Sequence, residues 1–293
     1  MRRIALAALY CLASTAVAQD AEKQSAIKST AIRDGLYFLV GQGGNTVASV
    51  GPDGIYIVDD QYAPASDAIR AALKALGDKP VRFVINTHWH GDHTGGNESF
   101  GLGGSVIVAH DNVRKRMSTE QFIAALESKV PPSPAAALPV VTFTTETSLH
   151  LNGQTARIIH VADAHTDGDA LVYFEQANVL HMGDVYFNGL YPFIDTSSGG
   201  TIDGFLAAID KGLALANADT RIVPGHGALS SRAELAAYRT MLGGFRDRIA
   251  ALKAEGKTLA EVRAAKPTAE FDEELGNAFI KPDQLVGFIY ESL

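Results

Sequence analysis

Three short apolar-rich runs, Leu36 to Val40, Thr46 to Val50 and Ile55 to Asp59, are separated by Gly41-Gln42-Gly43-Gly44-Asn45 and Gly51-Pro52-Asp53-Gly54. β-Branched and aromatic residues between glycine-rich punctuation predict strands joined by tight turns, here an antiparallel meander. The period then lengthens. Pro64 to Leu76 repeats at helical spacing and stops at Gly77, and Val81 to Ile85 reads as a buried strand running into a histidine cluster. Val106 to Ala109 predicts a further strand, and the stretch from about Asp111 to Val130 a helix. The proline-rich Pro131 to Pro139 reads as a linker between two halves.

The pattern then starts again. Val140 to Phe143, Ser148 to Leu151, Ala156 to Val161, Ala170 to Phe174 and Asn178 to Met182 predict strands, followed by a helix near Thr201 to Leu215, a strand at Arg221 to Val223 and a helical C-terminal region. Two blocks of alternating strands and helices predict an α/β architecture, two sheets packed face to face with helices outside.

The first residues carry a different signal. Arg2 and Arg3, the apolar run Ile4 to Leu12 and the small residues Ala16-Val17-Ala18 read as a signal peptide over residues 1–18, giving a mature chain from about Gln19 and a periplasmic or secreted protein. The run is too short to serve as a permanent span, and no later stretch reaches the ~20 apolar residues that spanning requires. The single cysteine, Cys11, lies inside that segment, and the bulky Tyr10 before it does not suit lipid attachment. Residues 19–293, expected to form one domain, therefore hold no disulfide or thiolate ligand. Only Arg2 and Arg3 leave with the signal, so the net charge of −8 becomes −10. An acidic exported protein has no general attraction for nucleic acid, and the expected partner is a small-molecule substrate.

The chemistry concentrates in His88-Trp89-His90-Gly91-Asp92-His93, which follows a predicted strand and precedes Thr94-Gly95-Gly96. Imidazole nitrogen and carboxylate oxygen are the donors zinc accepts when thiolate is absent. Single candidates follow later, each after a predicted strand: His165 in Ala164-His165-Thr166-Asp167, Asp184 in Met182-Gly183-Asp184, and His226 in Pro224-Gly225-His226-Gly227. His110, His150 and His160 have no ligand spacing and read as structural or exposed; His181 lies on a buried-looking strand, and Trp89 reads as packing.

The His-x-His-x-Asp-His loop, with single ligands in this order, resembles the metallo-β-lactamase superfamily over nearly the whole mature chain. That resemblance implies a four-layer αβ/βα sandwich of two mixed sheets with the site at one edge. It implies two zinc ions, the first on His88, His90 and His165, the second on Asp92, His93 and His226, with Asp184 bridging or leaning toward the second. It also implies a metal-bridging hydroxide that attacks a carbonyl, available because zinc lowers the pKa of bound water to about 7, and it makes Asp92 the residue that orients this hydroxide.

Export fits a β-lactamase, since β-lactams act outside the cytoplasmic membrane. Asp184 nonetheless stands where one large group of such enzymes has a cysteine, no Lys or Arg occurs between Asp184 and Lys211 to hold a substrate carboxylate, and Ala164 replaces a more usual glycine. The expectation is β-lactam ring opening of modest efficiency. The alternatives are an exported lactone or thioester hydrolase and a mononuclear iron persulfide dioxygenase, with a non-enzymatic binding protein last. Gly41 to Asn45 and Tyr186 to Gly200 are expected to line the pocket, with Tyr186, Phe187, Tyr191 and Phe193 as an apolar wall.

Overall fold

In the computed structural model, which describes residues 27–293, a seven-stranded and a six-stranded sheet lie face to face. Residues 1–18, expected from the sequence to be a signal peptide, lie outside the described residues. The first sheet contains β1 (Lys28–Arg33), β2 (Leu36–Val40), β3 (Thr46–Gly51), β4 (Gly54–Val58), β5 (Val81–Ile85), β6 (Val106–His110) and, at its edge, a strand at Val141–Phe143. β2 to β4 form the expected meander, and β1, which the pattern did not suggest, extends it by one antiparallel strand; from β4 onward the neighbours run parallel. Between them in sequence, β7 (Gln121–Ile123) and β8 (Ser128–Val130) make a separate hairpin, and the strand at Val141–Phe143 is β9. The second sheet contains β10 (Glu146–Leu151), β11 (Gln154–His160), β12 (Ala170–Phe174), β13 (Val179–His181), β14 (Arg221–Val223) and β15 (Ser230–Ser231). Its pairs are antiparallel except β13 with β14.

The nearly continuous apolar runs of the central strands follow from burial on both faces. Alternate residues of β4 separate cleanly: Tyr56 and Val58 meet Ile158, Val172 and Phe174 of the second sheet, while Ile55 and Ile57 meet Ile69 and Leu73 of the helix Ser66–Leu76. On the far side Leu171, Leu180 and Ile222 pack against the helices Ile202–Leu215, Arg232–Ala254 and Pro282–Ser292. The result is helix, sheet, sheet, helix, the four-layer α/β sandwich expected. The long helix starts at a capping box in which Ser231 and Glu234 satisfy each other's backbone N–H groups. Among the described residues no helix is long and apolar enough to cross a membrane.

Three expectations need correction. The helix from Asp111 ends at Met117, and residues 121–130 form the β7–β8 hairpin. Of the expected helix beyond Met117 only one 3-10 turn forms, at Ala124–Leu126; Ala124 donates its N–H to Ser197 Oγ, and Glu127 ends the turn in the left-handed region. The segment 131–139 is no linker: Ala137 is buried and its carbonyl accepts from Asn97 Nδ2. Nor does Val140 to Phe143 begin the second half, since β9 pairs in parallel with β6 and completes the first sheet.

Candidate metal centre

Every sequence-predicted site residue arrives at one edge of the sandwich. β5 runs into Asn86-Thr87-His88, and the short helix Gly91–Thr94 carries Asp92 and His93. His165 lies in the β11–β12 loop, Asp184 in the turn Gly183–Val185 after β13, and His226 after β14. β5, β13 and β14 all present these residues at their carboxyl ends, the end at which open α/β sheets expose loops for ligands. Gly183 is at φ 53°, which a Cβ would disfavour, and Thr87 lies where that Cβ would go.

The side chains converge in overlapping groups. His90 Nδ1 and His165 Nε2 are 2.8 Å apart with His88 beside them, and His93 Nε2 is 3.3 Å from His226 Nε2, which lies 3.2 Å from Asp92 Oδ2. Asp184 stands between the groups: Oδ1 is 3.1 Å from His93 Nε2, and Oδ2 is 3.6 Å from His165 Nε2, 3.9 Å from His88 Nε2 and 3.5 Å from His226 Nε2. His88 Nε2 is buried without a hydrogen-bond partner, and Asp184 Oδ1 accepts no bond of good geometry despite its near neighbour. Buried lone pairs left unmet are costly in a native protein. Pairs of imidazole nitrogens aimed at common points are what a cation would satisfy, so the donors fit divalent metal.

The far side of each ring is held. Asp59 Oδ2 accepts from His93 Nδ1 at 2.7 Å and from the Thr87 hydroxyl at 2.7 Å, while Thr87 Oγ1 is 3.0 Å from His88 Nδ1. Asp195 Oδ2 meets His90 Nε2 at 3.0 Å, and the Phe193 carbonyl accepts from His165 Nδ1 at 2.8 Å. Such outer bonds fix the tautomer and aim the inner nitrogen. Neither Asp59 nor Asp195 was singled out from the sequence. An acid at a strand end or in a loop has no diagnostic spacing, and only the adjacent Asp59-Asp60 pair closing a buried strand hinted at it.

Electrostatics divides the cluster. Burial, reinforced by neighbouring imidazoles, pushes His88 well below its ordinary value and His165 down to about 4, so both are neutral donors at neutral pH. Burial opposes charge on His93 and His226 as well, but the carboxylates of Asp184 and Asp92 outweigh it, raising His93 and bringing His226 up to about 9. Asp92, resisting burial through His93 and His226, is held at about 2.

A cavity of about 330 Å³ opens above the cluster, with His90, Asp92, Asp184 and His226 at its polar end. Phe187, Tyr191 and Phe193 line it as expected, and Gln42 represents the Gly41–Asn45 loop. Tyr186 does not: it is buried, with its hydroxyl on Ser230 Oγ at 2.8 Å and Asn188 Oδ1 at 3.0 Å. Ile123 and Leu126 from the hairpin, and Ala278 to Ile280, are lining residues the sequence did not suggest. Gly44 passes so close to His93 that a Cβ there would lie 2.1 Å from the ring.

The remaining histidines serve the scaffold. His110 and His160 stack at 3.7 Å, His150 is exposed, and buried His181 bonds the Asn45 carbonyl and the Gly183 N–H, steadying two site loops. Trp89 is buried in the main core.

Residues 37–226 match the family model of the metallo-beta-lactamase superfamily. A curated relative, the 2,4-dinitroanisole O-demethylase subunit alpha of Nocardioides sp. (strain JS1661), is 30% identical over 162 residues, which is 54% of this chain and 44% of that protein. The chain thus matches under half the length of that relative. A metallo-beta-lactamase from Pontibacter korlensis superposes with a TM-score of 0.62 at 19% identity, covering 74% of this chain and 99% of that one. The stereoselective inverting sec-alkylsulfatase Pisa1 from Pseudomonas sp. gives 0.67 at 18% identity, covering 90% and 50%.

Proposed function

The chain belongs to the metallo-beta-lactamase superfamily of metal-dependent hydrolases, and from that premise we propose a dizinc enzyme, exported from the cytoplasm, that hydrolyses a carbonyl substrate. The observation that carries this reading is the Asp184 carboxylate standing between two complete donor groups. His88, His90 and His165 would hold the first ion and Asp92, His93 and His226 the second, with Asp184 within reach of both. Five imidazoles, two carboxylates and no thiolate favour zinc.

When bound, a metal pair supplies a nucleophile from water at neutral pH and positive charge for a developing oxyanion. The protein's own residues do the rest. Asp92 is 20% exposed where His93 beside it is fully buried, so its carboxylate faces the cavity and aligns the attacking water. Phe187 stacks on His226 and Phe193 on His90, keeping solvent from the backs of the rings and leaving the cavity as the approach to the centre.

Ring opening of β-lactams is expected as a modest activity. The compartment suits it, but none of the described lining residues is Lys or Arg, so a β-lactam carboxylate meets no cationic anchor. A lactone or thioester has no such requirement. A mononuclear iron dioxygenase is disfavoured because the second donor group is complete. The test is elemental analysis of the mature protein, followed by turnover of a chromogenic cephalosporin, a lactone and a thioester before and after chelation. About two zinc ions and chelator-sensitive hydrolysis are expected; one iron with oxygen uptake on a persulfide would overturn the proposal.

A further inference from the structure

We propose that the preferred substrate is an uncharged ester or lactone bearing an apolar acyl or aryl group, an inference that rests on the hydrolase reading above. The cavity has two chemically distinct ends. Its floor carries the candidate ligands, while Ile123, Phe187, Leu190, Phe193 and Ile280 make the walls hydrocarbon. A carboxylate remote from the reacting carbonyl would lie against these walls, desolvated and unpaired.

The mouth repeats the pattern. Among the described residues few large apolar side chains are strongly exposed, and three of them line this one cavity: Phe279 at 66%, Tyr62 at 47% and Leu126 at 45%. They come from three separate segments, the turn after β4, the β7–β8 hairpin and the approach to the helix Pro282–Ser292. Isolated exposed apolar residues are ordinary, but a ring of them around a cavity marks surface that a ligand covers. The walls are also held from behind. Phe193 packs on Phe288, and the Tyr191 hydroxyl donates to Asp272 Oδ1 at 2.8 Å. The slot therefore exists before substrate arrives, and its volume sits at the small end of the ~300–1,000 Å³ range of small-molecule sites, suiting a medium chain.

The chemistry favours turnover of such a substrate. Water adds to the carbonyl carbon, the bond to the ester oxygen breaks, the alcohol leaves with one of the water's protons, and the acyl part becomes a carboxylate as the other proton passes to solvent. That new charge forms at the polar floor, where the candidate ligands lie, while the hydrocarbon remainder stays against the apolar walls.

The test uses the metal-loaded protein and p-nitrophenyl esters from acetate to octanoate, with the adipate monoester matched to hexanoate except for its terminal carboxylate. kcat/KM is expected to rise roughly fourfold per methylene up to about hexanoate, and the adipate monoester to fall at least about tenfold below hexanoate. Leu126→Lys, at a half-exposed hairpin position, should shrink that gap by raising turnover of the adipate monoester and lowering that of hexanoate. Calorimetric binding of hexanamide against adipic acid monoamide reads the same preference without turnover. A flat chain-length profile, or an adipate monoester hydrolysed as well as hexanoate, overturns the substrate class and leaves the hydrolase reading standing. Failure of the zinc-loaded protein on every ester, lactone, thioester and β-lactam overturns the hydrolase reading itself.

Discussion

Asp59→Asn is nearly isosteric, yet it should weaken metal binding through hydrogens alone. Asp59 is fully buried and accepts three bonds: from the Thr87 N–H at 2.8 Å, the Thr87 hydroxyl at 2.7 Å and His93 Nδ1 at 2.7 Å. An asparagine must turn its oxygen toward the backbone N–H, which has no other donor role to exchange. Its amide hydrogens then point at His93 Nδ1 and Thr87 Oγ1. His93 is driven to the tautomer with its proton on Nε2, the atom that faces Asp184 and His226. Thr87, now accepting from the amide, directs its own hydrogen at His88 Nδ1, 3.0 Å away, and pushes that ring the same way.

One substitution thus sets the wrong nitrogen in both donor groups, directly at His93 and through one hydroxyl at His88. Loss of an outer partner typically weakens a metal site by 10- to 100-fold, or about 1.4 to 2.7 kcal/mol. We expect a loss of that size at the site containing His93 and a smaller loss at the site containing His88. Competition against a chromophoric chelator resolves two successive affinities. Thr87→Val, which removes only the relay, should weaken the His88 site alone. Two affinities within about threefold of the parent in folded Asp59→Asn would refute the tautomer argument.

Three other outcomes are expected. Asp92→Asn should lower kcat by orders of magnitude, far more than it disturbs folding, and should weaken the second metal site; full kcat at saturating zinc would remove Asp92 from its assigned role. Gly44→Ala drives a methyl into the His93 ring, so the loop or the ring must shift, costing about 1–3 kcal/mol by thermal unfolding and weakening the second metal site. In the metal-free protein, the raised pKa of His226 contributes stability that is complete below the ordinary histidine value of about 6.5 and lost as pH rises through about 9; because metal must displace that proton, affinity at the second site should climb across the same window, and a pH-independent affinity would contradict this.

The ligands were legible in the sequence because metal chemistry limits donor types and the loop from His88 to His93 crowds four of them into six residues. His165, Asp184 and His226 were legible by their order after strands, not by local signal. Their outer partners were not, since Asp59 and Asp195 reach His93 and His90 across 34 and 105 residues. The central strands declared themselves through apolar runs that only burial on both faces explains. Short elements did not. The expected helix from Asp111 to Val130 hid the short strands β7 and β8 on either side of the single turn at Ala124–Leu126, and three-residue β9 could have joined either sheet, a choice decided by Val108 pairing with Val141. Much of the cavity's apolar mouth comes from these misread or unremarked segments, so specificity was harder to read than chemistry.

Because the donors come from both sheets, the two halves of the sandwich are stitched at this edge by side chains as distant in sequence as His93 and His226, 133 residues apart. The first donor group spans the chain from His88 to His165 and the second from Asp92 to His226, so a metal would meet its full set of ligands only once distant segments have packed together. Ions bound there act as a clasp on a closed book. They should slow the opening of the native state while leaving its rate of formation nearly unchanged. The lifetime of the folded chain would then depend on metal supply as directly as its chemistry does, and metal-depleted protein should be cut by proteases faster than metal-loaded protein.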